Sequence, residues 1–88
     1  MPLELADGIE YIKVEEDGFL LFLDTGRLER LNPVGSFILE QLQEGRGEDE
    51  LVTAVQSAFE GAEEKTVMKD VDDFLRDMRE TGILLRKG

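Results

Sequence analysis

Any chemistry in this chain must be built without the two side chains that perform it most often, because its 88 residues contain neither cysteine nor histidine. That removes thiol nucleophiles, disulfides, imidazole acid/base catalysis and the usual zinc ligand sets together. What remains is carboxylate. Asp72-Asp73 and Glu63-Glu64 are paired acids, and acid/base work needs two such groups converging in a desolvated cleft. Adjacent helical residues point about 100° apart, so these pairs suit a solvated face better than a catalytic one. No run of acids has the alternating loop spacing, closed by a bidentate Glu, that an EF-hand calcium site requires. Gly26, Gly35, Gly45, Gly47, Gly61 and Gly82 fall at expected turns or helix ends and form no phosphate loop. The expectation is a protein with no catalytic residues, no metal and no cofactor.

Ser36 is the one nucleophile in a suggestive place, after a glycine near the start of a helix in a small acidic chain. An acyl or peptidyl carrier protein has that setting, but with Asp before the modified Ser, Leu after it and helices around it. Here Gly35 precedes, Phe37 follows and the upstream sequence has strand character. Twenty-one acids against ten bases give a formal charge of -11, and between Phe37 and Glu64 Arg46 is the only base. Nucleic-acid binding draws on Lys and Arg that neutralise phosphates, so the charge argues against a DNA or RNA partner and favours basic or neutral ones. Met1-Pro2-Leu3-Glu4 has no basic n-region, and the longest apolar run is Phe19 to Leu23. Neither a signal peptide nor a membrane span is expected, and the protein is expected in the cytoplasm as a single domain over residues 1–88.

The elements that would position a site follow from periodicity. Ile9 to Glu15 interleaves β-branched and aromatic residues with charges, as a strand with one covered face does. Glu16-Asp17-Gly18 is expected to break it. The run Phe19 to Leu23 is expected to be a central strand covered on both faces, and Arg27 to Leu31, polar and alternating after a tight turn, an edge strand. Asn32-Pro33 marks a helix start. That helix extends to about Glu44 on Val34, Phe37, Ile38 and Leu42, with Leu39 widening the stripe, and Gly45 ends it. A second helix is expected from about Glu48 to Glu60 on Leu51, Val55, Ala58 and Phe59, and a third, capped by Thr66, from Val67 to Thr81. The third carries Val67, Met68, Val71, Phe74, Leu75 and Met78, a stripe wide enough to touch a second surface besides the core. Ile83-Leu84-Leu85 is expected to pack back on the core or pair with the sheet. The fold class is thus α+β, winged helix-turn-helix-like, with a three-stranded antiparallel sheet followed by three helices.

The edge strand is the feature with functional content. An unpaired row of backbone N–H and C=O groups accepts a guest strand, with side-chain pockets setting the register. The plainer alternative is that Arg27, Glu29 and Arg30 only protect an edge from aggregation.

Taken together, L-D-T-G-R-L-E-R-L-N-P-V-G-S-F-I-L-E-Q-L-Q-E-G, then E-L-V-T-A-V, then V-M-K-D-V-D-D-F-L-R-D-M-R-E-T-G-I-L-L resembles the PqqD-like family of precursor-recognition domains from about Val14 to Leu85. The resemblance rests on Leu31-Asn32 with Gly35 and Ile38-Leu39 before Gly45, and on Asp70-Val71 with Phe74-Leu75 and Gly82-Ile83-Leu84. It implies that the leader segment of a ribosomally made precursor peptide adds a strand to the edge strand and lies against the third helix. The implied cleft has Leu28, Glu29, Arg30 and Leu31 on one side and Val67, Asp70, Val71, Phe74, Asp77 and Met78 on the other. Apolar leader residues would enter pockets near Leu28, Phe74 and Met78, and basic ones would meet Asp70 and Asp77. The implied role is presentation to a peptide-modifying enzyme such as a radical SAM protein or a leader peptidase, in pyrroloquinoline-quinone, lasso-peptide or related biosynthesis. A winged-helix regulatory or subunit-docking module is the alternative, and an open sheet edge leaves either a monomer or a homodimer possible.

Overall fold

The computed structural model describes residues 3–59 and 61–86. Its order is β1 (Leu3–Leu5), β2 (Ile9–Val14), β3 (Asp17–Phe22), β4 (Arg27–Arg30), α1 (Pro33–Gln43), α2 (Glu48–Ala58), α3 (Glu64–Glu80) and β5 (Leu84–Arg86). Strands β2, β3 and β4 form an antiparallel sheet in that order, while β1 and β5 form a separate antiparallel pair. This is the expected α+β arrangement of a three-stranded sheet followed by three helices, with one strand at each end added.

Residues directly opposite across an antiparallel ladder share a face. Tyr11 lies opposite Leu20, Leu20 opposite Glu29, and Phe22 lies between Ile9 and Arg27. This set, which includes the fully buried Leu20, faces the helices. The other face carries Ile12, Phe19, Leu21 and Leu28. Phe19 and Leu21 are half-buried, so the expectation that β3 is covered on both faces is corrected: one layer of helices covers one face only. The strand also begins two residues earlier than its apolar run, because a two-residue turn at Glu15-Glu16 suffices, with Glu15 at a φ of 58°. Gly18, expected in the turn, is therefore inside the strand. A Cβ there would lie 2.8 Å from both the Ser36 Cβ and the Tyr11 hydroxyl, so α1 seats on β3 only because this residue has no side chain.

Helix α1 starts as its sequence requires. The Gly35 N–H donates to Asn32 Oδ1 at 2.7 Å, and Pro33 occupies the first turn, where no donor is needed. Its buried residues are Gly35, Ser36, Ile38, Leu39 and Leu42, with Val34 and Phe37 at the margins. Ser36 is only 5% exposed and hydrogen-bonds to Tyr11, which leaves no room for a carrier-type prosthetic arm. Helix α2 ends at Ala58 with Phe59 as cap; its expected end at Glu60 lies outside the described residues. Ala58 is exposed rather than buried. Helix α3 begins at Glu64 with Glu63 as N-cap, three residues before the expected start, so Thr66 lies inside the first turn and is corrected as the cap; Glu64 and Lys65 are good helix formers that continue the turn outward from Val67. Its buried line is Val67, Val71 and Leu75, four residues apart, whereas Met68 is exposed.

After Gly82 (φ 77°) the chain reverses, and the Ile83 N–H donates to the Met78 carbonyl at 2.8 Å. Leu84 then pairs with Leu5 of β1, rather than with the three-stranded sheet. Leu3 and Leu84 close the core floored by Leu20, Ile38, Leu39 and Leu51. Among the described residues no helix is long and apolar enough to cross a membrane.

The Gly18→Ala variant is expected to lose about 2 kcal/mol, the usual scale of overpacking in a core, because its new methyl meets the Ser36 Oγ and Cβ, tied directly to the α1 backbone, as well as the hydrogen-bonded Tyr11 hydroxyl. Urea denaturation reads this as a lowered midpoint; an unchanged midpoint would mean that α1 is not held at this distance.

Candidate functional site

Strand β4 pairs with β3 on one side only. The Leu31 N–H donates to the Gly18 carbonyl at 2.9 Å, which makes Leu31 and Gly18 a bonded pair. Bonded and non-bonded pairs alternate in such a ladder, so Glu29 with Leu20 and Arg27 with Phe22 are bonded as well. The main-chain N–H and C=O groups of Leu28 and Arg30 consequently point away from the sheet, into solvent. All four residues of β4 are exposed. The expected border strand is therefore present, and its available hydrogen-bonding groups belong to two identified residues.

Past the end of β4 the chain enters α1 beside α3. Gly35 lies against Phe74, whose Cε1 would be 2.7 Å from a Cβ at that position. A hollow of about 320 Å³ opens there, lined by Asn32, Val34, Gly35, Asp70, Asp73, Phe74 and Asp77. Its carboxylates are unequally engaged. Asp73 pairs with Arg76 at 2.7 Å, whereas among the described residues Asp70 and Asp77 have no ion-pair partner. On the strand, Arg30 bonds Asp17 at 2.8 Å, and Arg27 bonds Glu29 at 3.3 Å and stacks over the Phe22 ring.

The residues named from sequence are thus divided by the fold. Asp70, Phe74 and Asp77 line the hollow. Leu28, Glu29 and Arg30 lie on the open strand, but only Glu29 projects to the helix side; the Leu28 and Arg30 side chains project to the other face, opposite Leu21 and Phe19. A pocket shared by Leu28 and Phe74 is accordingly corrected, since successive strand residues alternate faces. Leu31, Val67 and Val71 are 9%, 4% and 1% exposed. They are core residues, because they occupy the inward centre of their stripes, and they are corrected as cleft walls. Met78 is half-buried against the same core. Asn32, Val34, Gly35 and Asp73 were missed. Gly35, expected at a turn or helix end, sits inside α1, where its missing side chain admits Phe74.

A polar network holds the other flank of α1 to the sheet. The Tyr11 hydroxyl, bonded to Ser36, donates to Glu40 Oε2 at 2.6 Å, and Lys13 lies 3.2 Å from the same carboxylate oxygen. The Tyr11 hydrogen bond, aided by Lys13, holds the Glu40 carboxyl below its usual range against a smaller opposing effect of burial. Burial first, and the bond to Glu40 second, push the Tyr11 phenol up. These groups position α1 and make no cleft of their own. Among the described residues no cluster of acids is arranged to hold a metal ion.

The family model for coenzyme PQQ synthesis protein D (PqqD) matches residues 17–84. The chain belongs to the PqqD family. A solved structure of TbiB1 in complex with the TbiA(beta) leader peptide is similar at 29% sequence identity, with a TM-score of 0.81 over 97% of this chain and 98% of that one. Lasso peptide synthetase B1 complexed with the leader peptide shares the fold, with a TM-score of 0.82 at 20% identity over 98% of this chain and 100% of that one. No curated protein matches the chain. The PqqD family match spans β3 through the start of β5, and so includes β4, α1 and α3 entire.

The network makes stability depend on pH in a stated direction. Glu40, with a folded pKa below its unfolded one, contributes fully above the ordinary carboxyl value near 4.3, and the contribution is lost as pH falls through the lowered folded value. Tyr11, raised, contributes fully below about 10, and that part is lost as pH rises through its folded value. Tyr11→Phe is expected to cost about 1 kcal/mol at neutral pH, with the gap to wild type narrowing as Glu40 becomes protonated. Denaturation curves at pH 7 and below pH 4 for the two proteins measure both.

Proposed function

We propose that this chain binds the leader segment of a ribosomally made precursor peptide as an added strand on β4 and presents it to a peptide-modifying enzyme, contributing no chemistry itself. The observation that carries the reading is the pair of outward-facing main-chain donors and acceptors at Leu28 and Arg30, on the strand that leads through Leu31 and Asn32 into the helix whose first turn lines the hollow roofed by Phe74. Strand addition draws affinity from such groups and specificity from pockets that receive alternate side chains. Membership of the PqqD family supports the reading, as does likeness to TbiB1, which was solved with a leader peptide bound.

The register assigns contacts. Guest residues bonded to Leu28 and Arg30 use their main chain, and the guest residue opposite Glu29 projects toward α3. An apolar group there rests on Phe74, with Val34 beside it and Met78 behind. A basic leader residue nearby meets Asp70 and Asp77, consistent with a chain whose formal charge is -11. Presentation works by local concentration, since a peptide held beside its enzyme reacts as a tethered substrate. The chain acts as one unit over residues 1–88, in the cytoplasm where precursor peptides are made, with a radical SAM enzyme or a leader peptidase as partner.

Arg30→Pro separates this reading from a merely protected edge. The substitution removes one outward N–H and no main-chain bond to β3, a position that tolerates proline in an edge strand; the Arg30–Asp17 ion pair that it also removes is exposed and worth little. Titration of a labelled leader peptide, from the precursor encoded beside this chain, is expected to show affinity reduced by about tenfold or more, the equivalent of one lost backbone bond, with the circular dichroism spectrum retained. Phe74→Glu is expected to weaken binding more than Leu28→Glu, whose side chain faces away from the cleft. Wild-type affinity in the folded proline variant would exclude β4 as the binding edge.

A further inference from the structure

The face of the three-stranded sheet turned away from the helices carries six apolar side chains: Ile12, Val14, Phe19, Leu21, Leu23 and Leu28. Val14, Leu23 and Leu28 are 55%, 54% and 53% exposed. Scattered exposed apolar residues need no explanation, but a contiguous set across all three strands of one sheet marks a contact surface. Around it stand the exposed acids Glu10, Glu16, Asp17 and Asp24, and its basic residue, Arg30, is already bonded to Asp17. Two copies of this chain meeting face to face would bring these carboxylates together at a formal charge of -11 each, within the roughly 8 Å over which charges interact at physiological salt. A second copy is therefore a poor occupant, and a different protein with an apolar centre and a Lys/Arg rim is a good one.

The face is also continuous with β4. In an antiparallel pair, residues opposite one another share a face, so a guest strand bonded to Leu28 and Arg30 sets the side chains opposite them on this outer surface. The other guest side chains enter the cleft. We propose that the outer sheet face, extended by the guest strand, is the docking surface for the enzyme that modifies the guest, recognised through an apolar patch bordered by lysine and arginine. This rests on the strand-addition reading and adds the surface through which the peptide is handed over. A docked enzyme touches chain and guest together, so each of the two ligands raises the affinity for the other.

The test uses the full chain carrying Val14→Glu and Leu23→Glu, two exposed positions on the outer face and away from the cleft. The probe is the purified modifying enzyme encoded beside this chain, titrated by calorimetry with and without the leader peptide. Enzyme affinity is expected to fall by about tenfold or more, with leader affinity within about twofold of wild type, the range of surface substitutions. Raised salt is expected to weaken enzyme binding to the wild type. Unchanged enzyme affinity in the variant overturns the proposal, as does a wild-type chain that does not bind the enzyme, or one whose sedimentation shows the patch closed in a homodimer. If wild type fails to bind the leader, the strand-addition reading falls, and the enzyme titration without peptide still decides whether the patch is a docking site.

Discussion

Helix α1 is held between two places where a side chain has been removed. Gly18 lets it approach β3 until Ser36 and Tyr11 meet over the strand, and Gly35 lets the Phe74 ring of α3 lie against its first turn. Each contact forbids a Cβ, so the distance from sheet to α1 and from α1 to α3 is set by backbone and not by adjustable side chains. Because β4 runs into α1 through Leu31 and Asn32 alone, these two approaches fix where the open edge of β4 stands relative to α3. The cleft is a consequence of close packing elsewhere.

That constraint explains how α3 serves two purposes with one stripe. Its inward line of Val67, Val71 and Leu75 repeats every four residues and is consumed by the core. Asp70, Phe74 and Asp77 lie one step round the helix, where the i, i+3 and i+4 spacing keeps them adjacent, and they face the hollow. Were α3 farther from α1, Phe74 would lose its seat on Gly35 and the hollow its roof. Half-buried Phe74 thus packs on α1 and lines the hollow at once, whereas Val67, Val71 and Leu75 are consumed by the core.

Much of this was legible in the sequence, for reasons that also mark where reading failed. The edge strand followed from the polar alternation of Arg27 to Arg30 after an apolar strand, and the start of α1 from Asn32-Pro33, because local chemistry decides both. The breadth of the α3 stripe matches its division between the core and the hollow. Division of that stripe was not legible: Val67, Val71 and Phe74 are equally apolar, and only the approach of Gly35 tells which of them is left at the margin. Nor was the direction of Leu28, since an edge strand must be paired to a known partner residue before its faces can be assigned. Strand β1 escaped because three residues carry too little period, and its partner lies at the opposite end of the chain. Gly18 and Gly35 carry the pattern of turn or helix-end glycines, and only the packing shows that each admits a neighbour.

The corrected direction of Leu28 changes what the site is. Had Leu28 faced α3, the cleft would have been a closed apolar slot able to engulf a peptide and conceal it. With Leu28 and Arg30 turned outward, the inner side offers Glu29, Phe74 and the carboxylates of Asp70 and Asp77, and a guest added as proposed would be held by its main chain and by alternate side chains only. The remaining side chains of such a guest would be displayed beside Leu21 and Phe19 on a sheet face that the helices do not cover. A binder that concealed both sides of its guest would compete with any enzyme for it. One built on an exposed border strand holds half of the side chains and leaves the other half, together with its own apolar face, to be read by a partner.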